Sequence, residues 1–387
     1  MNDNPFQILV DEPVPATRLD AGRVLHAGRT RVRRRRAVTT VAAAVAVLVV
    51  VAGGTALAVS RDDRRPKPAP AMPGPSPSTG PVTCTGAEVT GADGASSIAM
   101  DPTGQWIAVG DQTGQTITLL KDGTAVRTVT QPSVIVATAV SAAGTVVGYQ
   151  DLEQRQRPIS WRDGHVTTLP LPTGAVSGQA GGVNVGGDIV GVVNLAGNQR
   201  RAVLWRFSDP LRPVLLDTPS GKASTAARIS DDGRITGAIG GYEQPYLWSA
   251  ADGHGRPLPV PDGMPGGVAV YITGEWVVGT IDFLARSRTL SDGTLVGTEK
   301  MAIARWNLRD GTVERIPGEY VSATGVTRDG RVVLFSMMAG VQLWDGTRVG
   351  PLPGTSRVQQ PEGLSDDGSV LLIRTDRGLL RYTCKGG

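Results

Sequence analysis

The sequence predicts an all-β fold, a seven-bladed β-propeller, preceded by one transmembrane α-helix. Three observations carry that prediction. First, a motif of apolar strand, glycine-closed turn and second apolar strand returns seven times, from IAMDPTGQWIAVG to LSDDGSVLLIR. Second, its turn glycines, Gly104, Gly144, Gly187, Gly233, Gly274, Gly330 and Gly368, are spaced by 40, 43, 46, 41, 56 and 38 residues. A period near 40 with several short strands per repeat marks propeller blades, none of which buries its faces without its neighbours. Third, residues 37–59 carry no charge at all.

Residues 1–36 form a polar, basic leader, ending in Arg33 to Arg36. Residues 37–59, AVTTVAAAVAVLVVVAGGTALAV, would span roughly 34 Å as a helix, enough to cross a bilayer's hydrocarbon core. The basic excess on their N-terminal side predicts an N-terminus in the cytoplasm and a propeller outside the cell, on a single-pass anchor in the cell membrane. A competing reading is a signal peptide cleaved after Ala58, since Ala56-Leu57-Ala58 fits an A-x-A site. Residues 60–81 form a Pro-rich linker, expected to be extended and coreless. Residues 82–387 make the propeller.

Charge argues against nucleic acid as a partner. Residues 1–81 hold 12 Lys+Arg against 6 Asp+Glu, net +6, whereas residues 82–387 hold 27 against 29, net −2. The basic balance of the chain therefore belongs to the membrane-flanking segment, and a phosphate-backbone surface on the repeats is excluded.

Within the second repeat, Ala137–Val140 reads as the inner strand, Thr145–Tyr149 as its return, Pro158–Arg162 as the third strand and His165–Leu169 as the outer strand. Asp163-Gly164 is the hairpin turn before the outer strand. Trp161, Trp205, Trp248, Trp306 and Trp344 share one place in their repeats, which Leu120 and Tyr382 fill in the first and last. A large side chain repeated there is expected to pack between adjacent blades. The recurring Asp-Gly turns follow from turn chemistry, and no loop shows the spaced carboxylates of a calcium site.

The motifs VQLWDG at 341–346, ISDDGRITGAI at 229–239 and LSDDGSVLLIR at 364–374 resemble WD-repeat blades. VSAAGTVVGY with ISWRDGHVTTLP is similar to the extracellular HAF repeats, and the basic leader, anchor and Pro-rich stalk resemble exported actinobacterial propeller proteins. The Asp after the Trp is present only at Asp345, and HAF itself never occurs. The resemblance therefore implies a fold and transfers no functional residue.

The seventh repeat ends at RYTCKGG without an outer strand, and VTCTGAEV at 82–89 precedes the first inner strand. The N-terminal strand is thus expected to complete the last blade, placing Cys84 where Cys384 ends the third strand. Two cysteines in an exported domain then predict a Cys84–Cys384 disulfide.

The sequence holds three His, no G-x-S-x-G, no H-E-x-x-H and no phosphate-binding glycine loop. No cofactor or metal is implied. Loops between second and third strands carry Arg155, Arg157, Arg200, Arg201, Arg286 and Arg288, and guanidinium forks suit a protein or anionic envelope ligand. An insertion between Ile281 and Ala302 contains its own turn, Ser291-Asp292-Gly293, and is expected to form an extra hairpin. Three functions fit: an extracellular binding or scaffolding module, an envelope hydrolase or lyase with its site at the channel, and a transmembrane sensor.

Overall fold

The computed structural model describes residues 82–387, apart from 153–154, 198, 282–286, 290–294, 298–300, 353, 356–358 and 386–387. The expected leader, transmembrane helix and Pro-rich linker lie outside the described residues. Among the described ones no helix is long and apolar enough to cross a membrane.

Seven four-stranded antiparallel sheets follow one another along the chain. The first is built from Ile98–Met100, Trp106–Gly110, Thr116–Lys121 and Thr124–Thr130. The second holds Val134–Val140, Val146–Leu152, Arg155–Arg162 and His165–Thr168, and the third Ala175–Val183, Ile189–Leu195, Arg200–Arg206 and Asp209–Leu215. The fourth holds Ser224–Ile229, Arg234–Ile239, Gln244–Ser249 and Gly255–Pro257, and the fifth Val268–Thr273, Trp276–Thr280, Ile303–Asn307 and Thr312–Arg315. The sixth holds Ser322–Val326, Val332–Ser336, Gly340–Trp344 and Val349–Pro351. The seventh takes Gln360–Leu364, Val370–Thr375 and Gly378–Lys385 from the C-terminal end and Thr83–Glu88 from the other. Successive inner strands neighbour one another all the way round, the seventh meeting the first. This is a closed seven-bladed β-propeller. Cys84 lies directly opposite Cys384 in the closing ladder, and the two are joined in a disulfide.

Among the described residues a hydrophobic cluster fills each of the seven blade interfaces, with a second between blades four and five. Trp161 packs with Ala99, Ala108 and Ile117 of the first blade, and Trp205 with Ala139, Val147 and Leu169 of the second. Trp248, Trp306, Trp344 and Tyr382 reach back in the same way, and Leu120 meets Leu372 and Leu379 of the seventh. The Trp rings do more than fill space. The indole N–H of Trp205 donates to Pro170 O at 2.7 Å, Trp248 to Asp217 O at 2.7 Å and Trp306 to Pro259 O at 2.6 Å. Each carbonyl belongs to the connection leaving the preceding blade, and Tyr382 plays the same part by donating to Gly354 O at 3.0 Å. A buried Leu or Ile opens each of these connections and the corresponding one after blade five: Leu169, Leu216, Leu258, Ile316 and Leu352. Each donates its backbone N–H to its own third strand. Trp161 differs, since its buried indole N–H has no partner among the described residues.

This difference gives a paired test. Trp248→Phe strips the partner from the Asp217 carbonyl and leaves a gap, and should cost about 2–3 kcal/mol. Trp161→Phe orphans no carbonyl and should cost about 1–2 kcal/mol less. Equal losses in denaturant midpoint would show that the indole bonds carry no weight.

The second blade's inner strand begins three residues earlier than its apolar pattern suggests, at Val134. A bulge explains it: Ala137 pairs with Gly148 and Ala139 with Val147, so Thr138 is left over and the alternation breaks. The same shift recurs in blades three to seven, after Ala180, Ala226, Ala269, Ala323 and Pro361. All seven turn glycines sit at positive φ, from 55° to 87°, and Asp163 and Gly164 form their hairpin turn at 51° and 85°. The insertion in blade five forms the expected hairpin, Ser287–Thr289 pairing with Leu295–Gly297.

Candidate functional site

Because the strands of a blade alternate in direction, the glycine turns all emerge at one end of the channel. The loops between second and third strands, with the blade-to-blade connections, emerge at the other. The turn end is drawn together. Arg328 N donates to Asp366 O at 2.8 Å, and Asp366 N donates to Pro102 O at 2.8 Å, tying blades six, seven and one. Val185 N donates to Asp231 Oδ1 at 2.8 Å between blades three and four. Thr273 Oγ1 reaches past blade six to Asp366 Oδ1 at 3.1 Å. Burial lifts the Asp366 carboxyl to about 6; Thr273 and Arg328 oppose the shift, while Asp231 and Asp367 add to it. This bond ties blades five and seven together at the turn end.

The bulges set what lines the waist. The left-over residues are Thr138, Gly181, Ala227, Val270, Thr324 and Glu362. The residues that follow are Ala139, Gly182, Arg228, Tyr271, Gly325 and Gly363. Small side chains dominate both sets, so Glu362, Arg228 and Tyr271 stand out. The Glu362 side chain is 2% exposed, and its Oε1 accepts from Arg374 Nε at 2.5 Å. Arg374 also donates to Ala95 O at 2.6 Å. Glu362 Oε2 is buried and has no partner among the described residues. Burial pushes the Glu362 carboxyl up, against the pull of Arg374. Arg228 lies 5.4 Å from the centre of the Tyr271 ring and donates to Gly181 O at 2.7 Å and Ala227 O at 3.0 Å. Burial raises the Tyr271 hydroxyl, Arg228 lowers it and the Glu362 charge raises it again, so both charges act on this poorly solvated ring.

The arginines singled out in the sequence open third strands at the loop end. Arg155 is exposed and Arg157 half-buried on blade two. On blade three, Arg200 hydrogen-bonds Tyr242 of the next blade, and Arg201 Nη2 donates to Leu216 O at 3.4 Å. Blades two and three are adjacent, so these four share one sector. Arg288 lies on the hairpin strand Ser287–Thr289, and Arg286 falls outside the described residues. His165 and His254 sit at outer hairpins, His254 beside Asp217, away from the channel. Turn carboxylates are spent locally: Asp101 accepts from Thr103 and Trp106, and Asp367 from Ser365 and Ser369. Among the described residues no group of three or more His, Cys, Asp or Glu is placed to hold a metal ion.

Fold and site define a seven-bladed β-propeller with a polar waist. No family model matches the chain, and no curated protein matches it in sequence. It is similar in structure to a streptogramin B lyase, with a TM-score of 0.51 at 14% identity, covering 79% of this chain and 98% of that one. It is also similar to selenomethionine-substituted virginiamycin B lyase from Staphylococcus aureus, with a TM-score of 0.49 at 13% identity, covering 78% of this chain and 99% of that one. A catalytically inactive variant of that enzyme with quinupristin gives the same values. Likeness at this identity establishes the fold alone.

Proposed function

We propose that this chain is a membrane-anchored binding or scaffolding module whose propeller stands outside the cell and engages a protein or anionic envelope ligand at its loop end. One observation carries the reading: the hairpin Ser287–Thr289 with Leu295–Gly297 belongs to none of the seven blades and is inserted between the second and third strands of blade five, at the loop end. Loops on rigid scaffolds commonly carry recognition. Arg155 and Arg157 emerge at the same end. The anchor and export rest on the charge pattern around residues 37–59.

Replacing residues 283–300 with a short Gly-Ser turn should leave the melting temperature within about 2 °C of the parent, since the hairpin pairs with no strand of the seven blades. Capture of anionic envelope polymers by the immobilised chain should be abolished. Undiminished capture would overturn the reading. A hydrolase or lyase acting in the channel is the second reading, favoured by the buried carboxyl of Glu362 beside Tyr271. Consumption of a bound ligand on incubation, measured by mass spectrometry, would decide for it.

A further inference from the structure

We infer that the channel waist binds a small polyol bearing one anionic group, with the anion beside Arg228 and a hydroxyl donating to Glu362 Oε2, an inference that rests on the binding reading above. The first support is the orphaned oxygen. A carboxylate oxygen buried without a donor is costly, and in a native site it marks a place where a donor arrives. Glu362 is fixed there: Arg374 holds its other oxygen and is itself anchored to Ala95 O. The second support is the Tyr271 hydroxyl, which makes no hydrogen bond among the described residues and so keeps both its donor and its acceptor capacity.

The third support is charge. Arg374 offsets Glu362, while Arg228 makes no ion pair among the described residues and only its Nη1 is committed, to two carbonyls. The waist is therefore net positive by one charge, and by two if Glu362 is protonated. A cationic ligand would add to that excess, and a neutral sugar would leave it uncompensated. An anion offsets it, in a space where charge interactions are poorly screened. Asp231 and Asp366 at the turn end repel an anion, so entry is from the loop end.

The test is calorimetric titration of the full chain in neutral detergent with D-glucuronate, glycerol 3-phosphate, D-glucose and D-glucosamine. At least one anion should bind tenfold or more tightly than glucose, and glucosamine should bind no better than glucose. Binding of glucuronate alone assigns a uronic acid, and of glycerol phosphate alone a phosphate ester. Tyr271→Phe keeps the ring and should weaken the anion about threefold to tenfold with the melting temperature unchanged. Glu362→Gln should weaken it tenfold or more. No binding by either anion, equal affinity for glucose, or indifference to both substitutions would overturn the inference. Those results would leave polymer capture through the hairpin untouched, just as failed capture would leave the titration standing.

Discussion

Gly148→Ala is expected to destabilise the propeller by roughly 3–5 kcal/mol, at the upper end of what one methyl group does. An alanine Cβ at that position would lie 1.8 Å from Val136 O and 2.9 Å from Val136 C. Both atoms are backbone, so no side chain can rotate away and the inner strand itself must move. The cause is the bulge at Thr138, which swings the preceding carbonyl towards the second strand. Three other blades repeat the arrangement: the added Cβ meets Gln179 O at 2.0 Å from Gly191, Thr225 O at 1.9 Å from Gly237 and Val268 O at 1.9 Å from Gly279. Gly164→Ala is the control, because its φ is +85° and nothing lies within 4 Å of the added Cβ. It should cost only about 1 kcal/mol, the price of a left-handed alanine. Urea midpoints of the two variants measure the contrast. Equal midpoints would refute the bulged register.

That bulge also marks where sequence reasoning stopped. Blade number, turn glycines, hairpin turns and ring closure are local or periodic features, and each repeats its signature. The Trp position repeats too, so its burial between blades could be read directly. The glycines in TVVGY, IVGVV, ITGAI and VVGTI recur just as regularly, but their reason is a carbonyl on another strand, and an isolated strand pattern treats them as weak points. The Leu/Ile-Pro pairs at 169–170, 258–259, 316–317 and 352–353 were equally visible as strings. Their Leu or Ile packs against the Trp, or Tyr382, of the following blade, and only the fold brings the two together.

The waist was hidden for a deeper reason. Arg228, Tyr271 and Glu362 come from blades four, five and seven, and no stretch of sequence brings them together. Glu362 lies just upstream of the repeated motif, in QPEG. Aligning the repeats on their bulges would have exposed the three as bulky polar residues in columns of Gly, Ala, Val and Thr, but the bulge was not itself recognised. Buried Arg305 was missed in the same way. It is sandwiched between Trp276 at 3.9 Å and Trp344 at 4.1 Å, paired with Glu314 and bonded to Gly330 O, joining blades five and six. The arginines at 155, 157, 200 and 201 stand out in the sequence because paired charges interrupt its apolar pattern, whereas these buried charges sit singly inside strands that read as core.

Breaking the Cys84–Cys384 bond should release the last blade's outer strand before the rest of the ring unfolds. Five of the six residues of Thr83–Glu88 are exposed, so burial contributes little to holding that strand. Its ladder with Gly378–Lys385, the close fit of Gly86 under the Tyr382 ring and the disulfide hold it. The bond spans a sequence separation of 300, for which chain entropy alone gives about 5–6 kcal/mol. Cys84→Ser should cost about 2–4 kcal/mol, because native bonds rarely return the full entropic figure. Reductant should lower the parent's melting temperature to that of the variant and leave the variant unmoved. Hydrogen exchange should show protection lost first across 83–88 and 378–385, with the other six blades still closed. A parent indifferent to reductant, or exchange that rises uniformly over all seven blades, would mean that the ladder rather than the disulfide closes the ring.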